Sequence, residues 1–332
     1  MNRMTTNKAV ISQTPLRISL LGGGSDIKDH YSVYGGSVIS FAIDQYIYVQ
    51  VHDNNRIFGN KFIIAYSQSE KANLIDEIEN GIIRESLRLL DLDTPLYIST
   101  SADLPASSGL GSSSSFAVGL LHALHEFKGE KVSSEQLAEE ACTVEIELLG
   151  KKIGKQDQYA ASFGGFNHIQ FDTDGKATVN NLGNTEKYKE IFDSLVLVWT
   201  GLTRDANLIL IDQVSKSFEN ASSLISLSDS SKKLASDLEN NKFNVDLLGP
   251  MLTDSWLLKR ELSEKISNAH IDGLFAKCIK LGAKGGKLLG AGGGGFLLMA
   301  VESRDKFSIS MKEENIIPVR ESKFGSRIIF SK

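Results

Sequence analysis

PASSGLGSSSS, residues 105–115, is the stretch that decides the fold. It places glycine and hydroxyl residues directly before a segment whose apolar residues recur at the spacing of one helix face: Phe116, Leu120, Leu124 and Phe127. A loop of small residues at the start of a helix can turn free backbone N–H groups toward an anion, and the helix dipole adds roughly half a positive charge there. The stretch therefore predicts a binding site for the phosphate groups of a nucleoside triphosphate.

The predicted phosphate loop is not the common P-loop. That motif, Gly-x-x-x-x-Gly-Lys-Ser/Thr, does not occur in the chain. The nearest string, Gly285-Gly286-Lys287, is followed by Leu288 and therefore lacks the hydroxyl group that binds magnesium. A Gly/Ser-rich loop that only caps a helix is the alternative interpretation, so other segments of the chain have to supply the context.

The composition is that of a globular protein with mixed charges. Hydrophobic residues make up 41% of the 332 residues and charged residues 23%, and the net charge is −5. This balance argues against nucleic acid or an anionic membrane as a main partner. Only Cys142 and Cys278 are present, too few for a disulfide framework or a structural zinc site. Because the N-terminus is polar and no apolar run approaches the ~18 residues of a membrane span, we expect a cytoplasmic protein. A homodimer is one assembly that it could form.

The periodicity of apolar residues predicts two lobes that mix strands and helices, an α+β fold class. In the first lobe, residues 1–190, we expect strands at 9–20, 36–52, 62–66 and 96–100, helices at 71–91, around 116–127 and at 134–150, and a loop or domain junction at 172–188. In the second lobe, residues 191–332, we expect strands at 194–199, 295–301, 317–320 and 325–330. Two or three helices lie between the first two of these strands, with a Ser-rich turn near 222–231.

Two further glycine-rich segments flank the predicted phosphate loop. Residues 14–26, TPLRISLLGGGSD, place Arg17 on a strand that the glycines end, and Asp26 follows where it can accept hydrogen bonds from hydroxyl groups. Residues 287–298, KLLGAGGGGFLL, contain a formal Gly-x-Gly-x-x-Gly. A dinucleotide site needs a strand before and a helix after that motif, whereas here the glycines precede a strand. Taken alone, each segment is also consistent with a tight turn or hinge, and so many glycines favour close approach of the backbone to a ligand or another loop.

These three segments, in this order and spacing, resemble the GHMP kinase superfamily, which includes galactokinases and the homoserine, mevalonate and phosphomevalonate kinases. The central motif of that superfamily, Pro-x-x-x-Gly-Leu-Gly/Ser-Ser-Ser, fits residues 105–113, and the resemblance extends from residue 14 to residue 298. It implies a kinase of small molecules that uses ATP and Mg²⁺. It also implies a two-lobed fold, with an N-terminal lobe like the second domain of ribosomal protein S5 and a ferredoxin-like C-terminal lobe.

A fourth segment carries the catalytic residues that the resemblance implies. Residues 145–158 match the sugar kinase pattern Glu-x4-Gly-x3-Gly-x2-Asp-Gln. By this match Asp157 accepts the proton of the acceptor hydroxyl or orients that group, and Arg17 lies beside it. Glu145 would bind magnesium together with Ser113. The residues that the central motif assigns to ATP are Pro105, Ser107, Ser108, Gly109, Leu110, Gly111, Ser112, Ser113 and Ser114.

Two alternatives stay open in the catalytic segment. The phase of a helix cannot by itself choose between Glu145 and Glu147 as the magnesium ligand. Taken alone, Asp157 also fits a surface carboxylate that pairs with one of its neighbouring lysines: Lys151, Lys152 or Lys155. Phosphoryl transfer depends mainly on positioning and on cations that face the growing negative charge, which favours the catalytic interpretation when the four segments occur together.

The N-terminal segment indicates the acceptor. Galactokinases have Gly-Glu-His-x-Asp where this chain has Gly-Gly-Gly-Ser-Asp, and segments 14–26 and 200–204 look most like kinases of D-glycero-D-manno-heptose 7-phosphate, with fucokinases nearby. The resemblance implies transfer to the anomeric hydroxyl of this sugar phosphate. The residues expected at the acceptor are Gly23, Gly24, Ser25, Asp26, His30, Lys155, Arg204, Gly292, Gly293 and Gly294, with Lys287 and Arg327 as weaker candidates for its phosphate. The alternatives are a kinase of unphosphorylated sugars of the fucose or uronate type, and a catalytically silent sugar or nucleotide sensor.

Overall fold

The computed structural model describes residues 8–55, 59–185, 187–203, 209, 211–212 and 220–332. Within these ranges the strands are β1 Ala9–Leu21, β2 Gly36–Asp53, β3 Phe62–Ala65, β4 Ser69–Ala72, β5 Leu96–Ala102, β6 Phe166–Phe171, β7 Ala177–Asn181, β8 Leu195–Trp199, β9 Ala283–Leu288, β10 Phe296–Val301, β11 Ile316–Pro318 and β12 Arg327–Ser331. The α-helices are α1 Lys28–Tyr34, α2 Gly81–Leu89, α3 Ser112–Lys128, α4 Ser134–Cys142, α5 Gln156–Phe163, α6 Tyr188–Asp193, α7 Ala221–Glu239, α8 Leu248–Glu261, α9 Ala269–Lys280 and α10 Arg304–Ser310. A π-helix continues α4 over Thr143–Leu148, and 3-10 helices cover Ile75–Glu77 and Val245–Leu247. Among the helices in these ranges, none has the length and apolar character needed to span a membrane.

The first sheet builds the N-terminal lobe around the long strand β2. Its strand order is β12-β1-β2-β5-β3-β4, and β6 and β7 extend it from the other half of β2. Helix α3 packs on β1 and β2 through leucines that are fully buried: Leu120, Leu121 and Leu124. The backbone N–H of Arg17 on β1 donates to Leu110 O at 3.0 Å, just before α3 begins. The core of this lobe therefore holds the start of α3 directly against the strand that carries Arg17.

The second sheet has the strand order β11-β8-β10-β9 and is antiparallel throughout. Numbered by their order along the chain, these strands run 4-1-3-2 across the sheet. Along the chain, α7, α8 and α9 lie between β8 and β9, and α10 lies between β10 and β11. This is the order of a ferredoxin-like fold. The expected C-terminal lobe and the α+β fold class are confirmed. The last strand, β12, returns to the first sheet and pairs with β1.

The helix predicted over residues 71–91 is wrong in its first half. Its early residues form β4 and a 3-10 turn, and α2 begins only at Gly81. The reason is local capping, because the Asn80 side chain accepts a hydrogen bond from Ile83 N at 3.1 Å. The loop predicted at 172–188 likewise contains β7, which pairs with β6.

The Ser-rich turn predicted near residues 222–231 is also wrong, because this segment lies inside α7. The leucines of the helix recur on one buried face: Leu224, Leu227, Leu234 and Leu238. Serine hydroxyls within the helix donate to carbonyl groups about one turn earlier, as Ser231 Oγ does to Ser228 O at 2.7 Å. Hydrophobic burial on one face thus outweighs the turn preference of serine.

Strand β9 was not predicted, since its sequence AKGGKL has few apolar residues. It pairs antiparallel with β10, so the glycine-rich segment between them is the turn of a hairpin. A strand therefore does precede the formal Gly-x-Gly-x-x-Gly, contrary to the predicted order. The strand β10, and not a helix, follows the motif. A dinucleotide site stays excluded, because such a site needs a helix there.

Gly22, which directly follows β1, should tolerate no side chain. Its φ is +84°, and a Cβ at this position would overlap with Ser37 O of the neighbouring strand. We expect Gly22→Ala to lower the free energy of unfolding by about 3 kcal/mol or more, because backbone strain and overpacking add. In the matched control Gly129→Ala, φ is +80° but nothing lies within 4 Å of the new Cβ, so only the backbone cost of about 1 kcal/mol remains. Urea unfolding followed by circular dichroism measures both values, and equal losses would contradict the steric argument.

Candidate active site

A cavity of about 300 Å³ is lined by residues of both lobes. The first lobe contributes the glycine turn after β1, the loop and first turn of α3, part of the π-helix, and the start of α5. The second lobe contributes Leu227 of α7, Lys259 of α8 and Lys287 of β9. Side chains of both charges therefore meet in one space that neither lobe encloses alone.

Arg17 and Asp157 form a bidentate ion pair in this cavity. Arg17 donates from Nε to Oδ1 and from Nη2 to Oδ2 of Asp157, both at 2.6 Å, and its Nη1 donates to Gly109 O at 2.7 Å. The side chain of Arg17 is 5% exposed, and that of Asp157 is 23% exposed. One guanidinium group thus connects the predicted phosphate loop to the carboxylate and leaves the carboxylate accessible. The partner of Asp157 is Arg17 and not a neighbouring lysine, so the surface-pair alternative is wrong.

Asp26 lies next to this pair and is almost fully buried. Its Oδ1 accepts from Gly24 N at 2.9 Å and from Gln156 Nε2 at 3.2 Å, and its Oδ2 accepts from Gln156 N at 3.1 Å. Burial raises the pKa of Asp26 above its usual value, the backbone N–H of Gln156 opposes this shift, and the negative charge of Asp157 adds to it. Gly154 makes room for this carboxylate, since a Cβ there would overlap with Asp26 Oδ2.

The start of α3 leaves its backbone donors free of side-chain caps. Gly111 is the N-cap residue, with a φ of 74°, and no side chain caps the helix. The first N–H groups of an α-helix have no partner within the helix, and here residues 112–114 bring them to the cavity wall. Gly109 has a φ of +81°, and a Cβ on it would lie 2.8 Å from Leu289 O of the second lobe. The loop can therefore approach both a bound phosphate and the opposite lobe because it carries almost no side chains.

The residues expected to bind ATP divide into two groups. Those that line the cavity are Ser107, Gly109, Gly111, Ser112, Ser113 and Ser114. The other three are not among the lining residues. Pro105 is exposed outside the cavity, whereas Ser108 and Leu110 are fully buried. For these three the structure supports a role in shaping the loop: Ser108 O, for example, accepts from Phe296 N at 3.2 Å.

Ser113 and Glu145 form a site suited to a cation. Ser113 Oγ donates to Glu145 Oε1 at 2.7 Å, Lys151 Nζ lies 2.9 Å from both atoms, and Gln158 Nε2 donates to Glu145 Oε2 at 2.8 Å. Glu145 lies in the π-helix and is fully buried, whereas Glu147 is exposed. An ammonium group thus already contacts these oxygen atoms, so the donor set fits a hard cation.

The same site fits Mg²⁺ better than a metal held by protein alone. Over the described part of the chain, no group of three or more His, Cys, Asp or Glu side chains is arranged to hold a metal ion. Mg²⁺ commonly takes one or two carboxylates from the protein and its other ligands from water and substrate phosphates. Glu145 and Ser113 supply such a partial set beside the predicted phosphate loop.

The glycine-rich turn between β9 and β10 packs against loops of its own lobe at Gly292 and Gly294, and against the phosphate loop at Gly290 and Gly295. A Cβ on Gly292 would lie 2.8 Å from Ile266, and one on Gly294 would lie 2.7 Å from Leu202 O. Gly293 N donates to Ile266 O at 2.9 Å. These three glycines are not among the residues that line the cavity, and their backbones approach neighbouring loops. The residues of the turn that do line the cavity are Gly290 and Ala291.

Ser25 and His30, expected at the acceptor, are not among the residues that line the cavity. Ser25 Oγ donates to Gly22 O at 2.8 Å and closes the glycine turn from within. His30 is 2% exposed and packs on the ring of Tyr34. Burial lowers the pKa of His30, and the positive charge of Lys232 adds to this shift. The Ser25 side chain therefore supports the turn that carries Asp26, and His30 lies in α1, which follows this turn.

Two of the basic residues expected at the acceptor, Lys155 and Arg327, are not among the residues that line the cavity. Lys155 Nζ donates to Gly175 O at 2.9 Å and is not among the lining residues. Arg327 donates to Gln13 Oε1 at 2.8 Å on the exposed strand β12. Arg204 lies outside the described residues. Lys287, a weaker candidate from the sequence, does line the cavity.

Several lining residues were not predicted from the sequence. They are Ser19, Lys151, Gln156, Ser255 and Lys259. For Lys259 a signal exists, because it follows Leu252 and Trp256 at the spacing of one buried helix face. A lysine at a core position of an amphipathic helix deserves a functional interpretation, whereas Ser19 and Gln156 offer no such pattern.

A phosphoryl-transfer site needs donors for the phosphate groups and a group that faces the acceptor hydroxyl. In this cavity the N-terminus of α3 offers the donors, and the carboxylate of Asp157 faces the same space. Fold and site together define a kinase of small molecules. The chain belongs to the GHMP kinase family. The family model of the GHMP kinases N terminal domain matches residues 64–165, and the model of the GHMP kinases C terminal matches residues 234–308.

Relatives of known name agree with this assignment. D-glycero-alpha-D-manno-heptose 7-phosphate kinase of Campylobacter jejuni is 32% identical over 319 residues, which cover 91% of this chain and 92% of that protein. The structure of a D-glycero-D-manno-heptose 1-phosphate kinase from Bacteroides thetaiotaomicron superposes with a TM-score of 0.76 at 25% identity, covering 96% of this chain and 98% of that one. Lactococcus lactis galactokinase complexed with galactose shares the fold, with a TM-score of 0.72 at 16% identity over 96% and 95% of the two chains. The expected family and the class of sugar kinases are confirmed.

Proposed function

We propose that this protein transfers the terminal phosphoryl group of ATP to the anomeric hydroxyl of D-glycero-D-manno-heptose 7-phosphate and so forms the 1,7-bisphosphate. The observation that carries the proposal is the Arg17–Asp157 pair, because Arg17 also bonds to the predicted phosphate loop through Gly109 O. The relative from Campylobacter jejuni that is 32% identical carries the name of this activity. The supply of ATP favours the cytoplasm as the place of the reaction.

In this proposal the first turn of α3 and the loop before it bind the triphosphate, and Arg17 faces the phosphoryl group in transfer. Asp157 receives the proton of the attacking hydroxyl group or holds that group in line. Both of its oxygen atoms already accept hydrogen bonds from Arg17, so orientation of the hydroxyl group carries much of its effect. An anomeric hydroxyl group is more acidic than an ordinary alcohol, which suits a carboxylate in this position.

Glu145 and Ser113 are the residues that would hold Mg²⁺ in the proposed reaction. When bound, the metal ion offsets charge on the β- and γ-phosphates. Asp26 lies on the acceptor side with Gly23 and Gly24, all three at the cavity wall. We assign Asp26 to binding of sugar hydroxyl groups, since its carboxylate is fixed by Gln156 and Gly24.

The proposal is tested by a screen for ADP release with ATP, Mg²⁺ and a panel of sugars with and without a phosphate group. We expect turnover of D-glycero-D-manno-heptose 7-phosphate to exceed that of the free heptose, L-fucose and uronic acids by orders of magnitude. The acceptor and ATP share one cavity, and the several cations there can bind the phosphate group of the acceptor. Phosphorus NMR of the product should show a new phosphate at the anomeric carbon. Preferred turnover of a free sugar would move the assignment to a fucose- or uronate-type kinase. Absence of turnover with every acceptor would favour a silent sensor.

A further inference from the structure

Two lysines of the second lobe line the cavity without a carboxylate partner. Lys287 is 3% exposed, and its Nζ donates to Leu20 O at 3.1 Å. Lys259 is partly buried, and its Nζ donates to Gly290 O. Over the described residues neither lysine forms an ion pair, and each hydrogen bond found for them goes to a backbone carbonyl. Each ammonium group therefore has N–H donors left for a ligand, and no carboxylate of the described residues forms an ion pair with it.

The surroundings of these lysines favour an anionic ligand. Burial is the largest cause of the lowered pKa of both lysines. The pKa of Lys287 falls well below its usual value, and that of Lys259 falls to about 8. The positive charge of Arg17 adds to both shifts, whereas Asp26 and Asp157 oppose the shift of Lys259. A buried cation without a counter-ion is costly, so an anion that reaches both lysines would be bound strongly.

A third donor, the hydroxyl group of Ser19, lies on the cavity wall formed by the first lobe. Ser19 follows Arg17 by two residues on β1, so both side chains point to the same face of the strand. The hydroxyl group of Ser19 is buried, has no hydrogen-bond partner and lines the cavity. A Cβ on Gly23 would lie 2.8 Å from this hydroxyl, which puts it beside the glycine turn. Lys287, which bonds to the next residue of β1, Leu20, comes to the same end of the strand.

We propose that Lys287, Lys259 and Ser19 form a subsite for a phosphoryl group, built across the two lobes and separate from the N-terminus of α3. The proposal rests on the assignment of the cavity to phosphoryl transfer. A phosphate monoester on the acceptor and the terminal phosphate of ATP share the required chemistry. Lys259 bonds to Gly290, which packs on Gly109 of the phosphate loop. Ser19 lies beside the glycine turn that carries Asp26, and Lys287 bonds to the neighbouring residue of β1. The position of these two residues beside the glycine turn favours the phosphate of the acceptor.

The subsite is tested by calorimetric titration of Lys287→Met and Lys259→Met. The probes are D-glycero-D-manno-heptose 7-phosphate, the free heptose, ATP and ADP, each with Mg²⁺. We expect the affinity for heptose 7-phosphate to fall by about 10- to 100-fold, the range for lost hydrogen bonds to a charged group, with the free heptose and ADP unchanged. The matched control is Lys128→Met, since Lys128 Nζ also donates to a backbone carbonyl, Leu90 O at 3.1 Å, and is not among the cavity residues.

Each outcome of these titrations has a defined meaning. A loss for ATP but not for ADP, with heptose 7-phosphate unaffected, supports the subsite and assigns it to the terminal phosphate of the nucleotide. Equal losses for heptose 7-phosphate and the free heptose would overturn the proposal, because the lysines would then act through the shape of the site. Unchanged affinity for every probe would overturn it as well. If the intact protein binds heptose 7-phosphate through these lysines yet releases no ADP, the proposed function fails and the subsite stands.

A measurement on the intact protein keeps the proposal testable if a variant does not fold. At pH 8.5 a phosphate monoester is fully dianionic, whereas Lys259, whose pKa burial lowers to about 8, is only partly charged before binding. Binding of the dianion should restore the ammonium form. The negative charges of Asp26 and Asp157 favour that form, and the positive charges of Arg17 and Lys287 oppose it. Titration in two buffers of different ionisation enthalpy should therefore show more proton uptake on binding of heptose 7-phosphate than on binding of the free heptose. Uptake equal to that seen with the free heptose would overturn the proposal.

Discussion

Replacing Asp157 with asparagine should lower kcat by about 10²- to 10⁴-fold, the range for a lost general base, while the protein still binds ATP. Asparagine has the shape of aspartate but cannot take up the proton of the acceptor hydroxyl group. Arg17 would keep its bond to Gly109 O, but it would find only one, uncharged, acceptor on residue 157, because the amide NH2 group is a donor. The phosphate loop therefore stays in place, and we expect unchanged or tighter ATP binding, because the guanidinium group becomes more available to phosphate.

The measurement is kcat from ADP release, combined with the dissociation constant of ATP from titration of the same preparation. Asp229→Asn is the matched control, since Asp229 is also ion-paired, with Lys232 at 3.1 Å, but on an exposed part of α7. That variant should keep full activity. Equal kcat for Asp157→Asn and the unchanged protein would remove Asp157 from the mechanism. Loss of ATP binding in that variant would instead show that the pair serves mainly to hold the loop.

The phosphate loop shows how much of the site the sequence could predict. Glycines and serines before a helix face indicate free backbone donors, and Gly111 indeed takes a left-handed conformation as the N-cap residue of α3. The contact between Arg17 and Asp157 was expected from the family resemblance alone. These residues are 140 positions apart and meet through the packing of α5 and β1. Local spacing carries no information about such a contact.

The choice between Glu145 and Glu147 illustrates a second limit. The predicted helix over residues 134–150 has one regular phase, whereas the structure changes from α4 to a π-helix at Thr143. A π-helix adds about one residue per turn relative to an α-helix, and such turns are common at functional sites. The face of residues beyond 143 therefore cannot be read from an α-helical wheel. In the structure Glu145 turns to the cavity and Glu147 to solvent.

The glycine-rich turn and the buried lysines mark a third limit. A run of glycines indicates that something approaches the backbone, but the sequence does not say whether it is a ligand or, as at Gly292 and Gly294, a neighbouring loop. Lysine is usually a surface residue. Lys287 is buried because β9 pairs with β10 and packs on α8, and because its Nζ reaches Leu20 O on β1 of the first lobe. That contact joins residues 267 positions apart.

Replacing Glu145 with glutamine should raise the Mg²⁺ concentration needed for half-maximal activity by about 10-fold or more, because Mg²⁺ relies on few protein carboxylates. Glutamine preserves the shape of the side chain but removes the negative charge that now accepts from Ser113, Lys151 and Gln158. The side chain of Lys151 is 26% exposed, so water can solvate its ammonium group and the fold should persist. Titration of ATP with and without Mg²⁺ provides a readout that does not depend on turnover, and the metal should strengthen ATP binding less in the variant.

Glu147→Gln is the control that decides between the two glutamates, since Glu147 lies two residues away and is exposed. The structure predicts that this variant keeps the Mg²⁺ requirement of the unchanged protein. A higher requirement in Glu147→Gln, combined with a normal one in Glu145→Gln, would mean that the π-helix rearranges when nucleotide binds. The contact of Ser113 with Glu145 would then belong to the ligand-free protein alone, and the cation site would have to be rebuilt around Glu147.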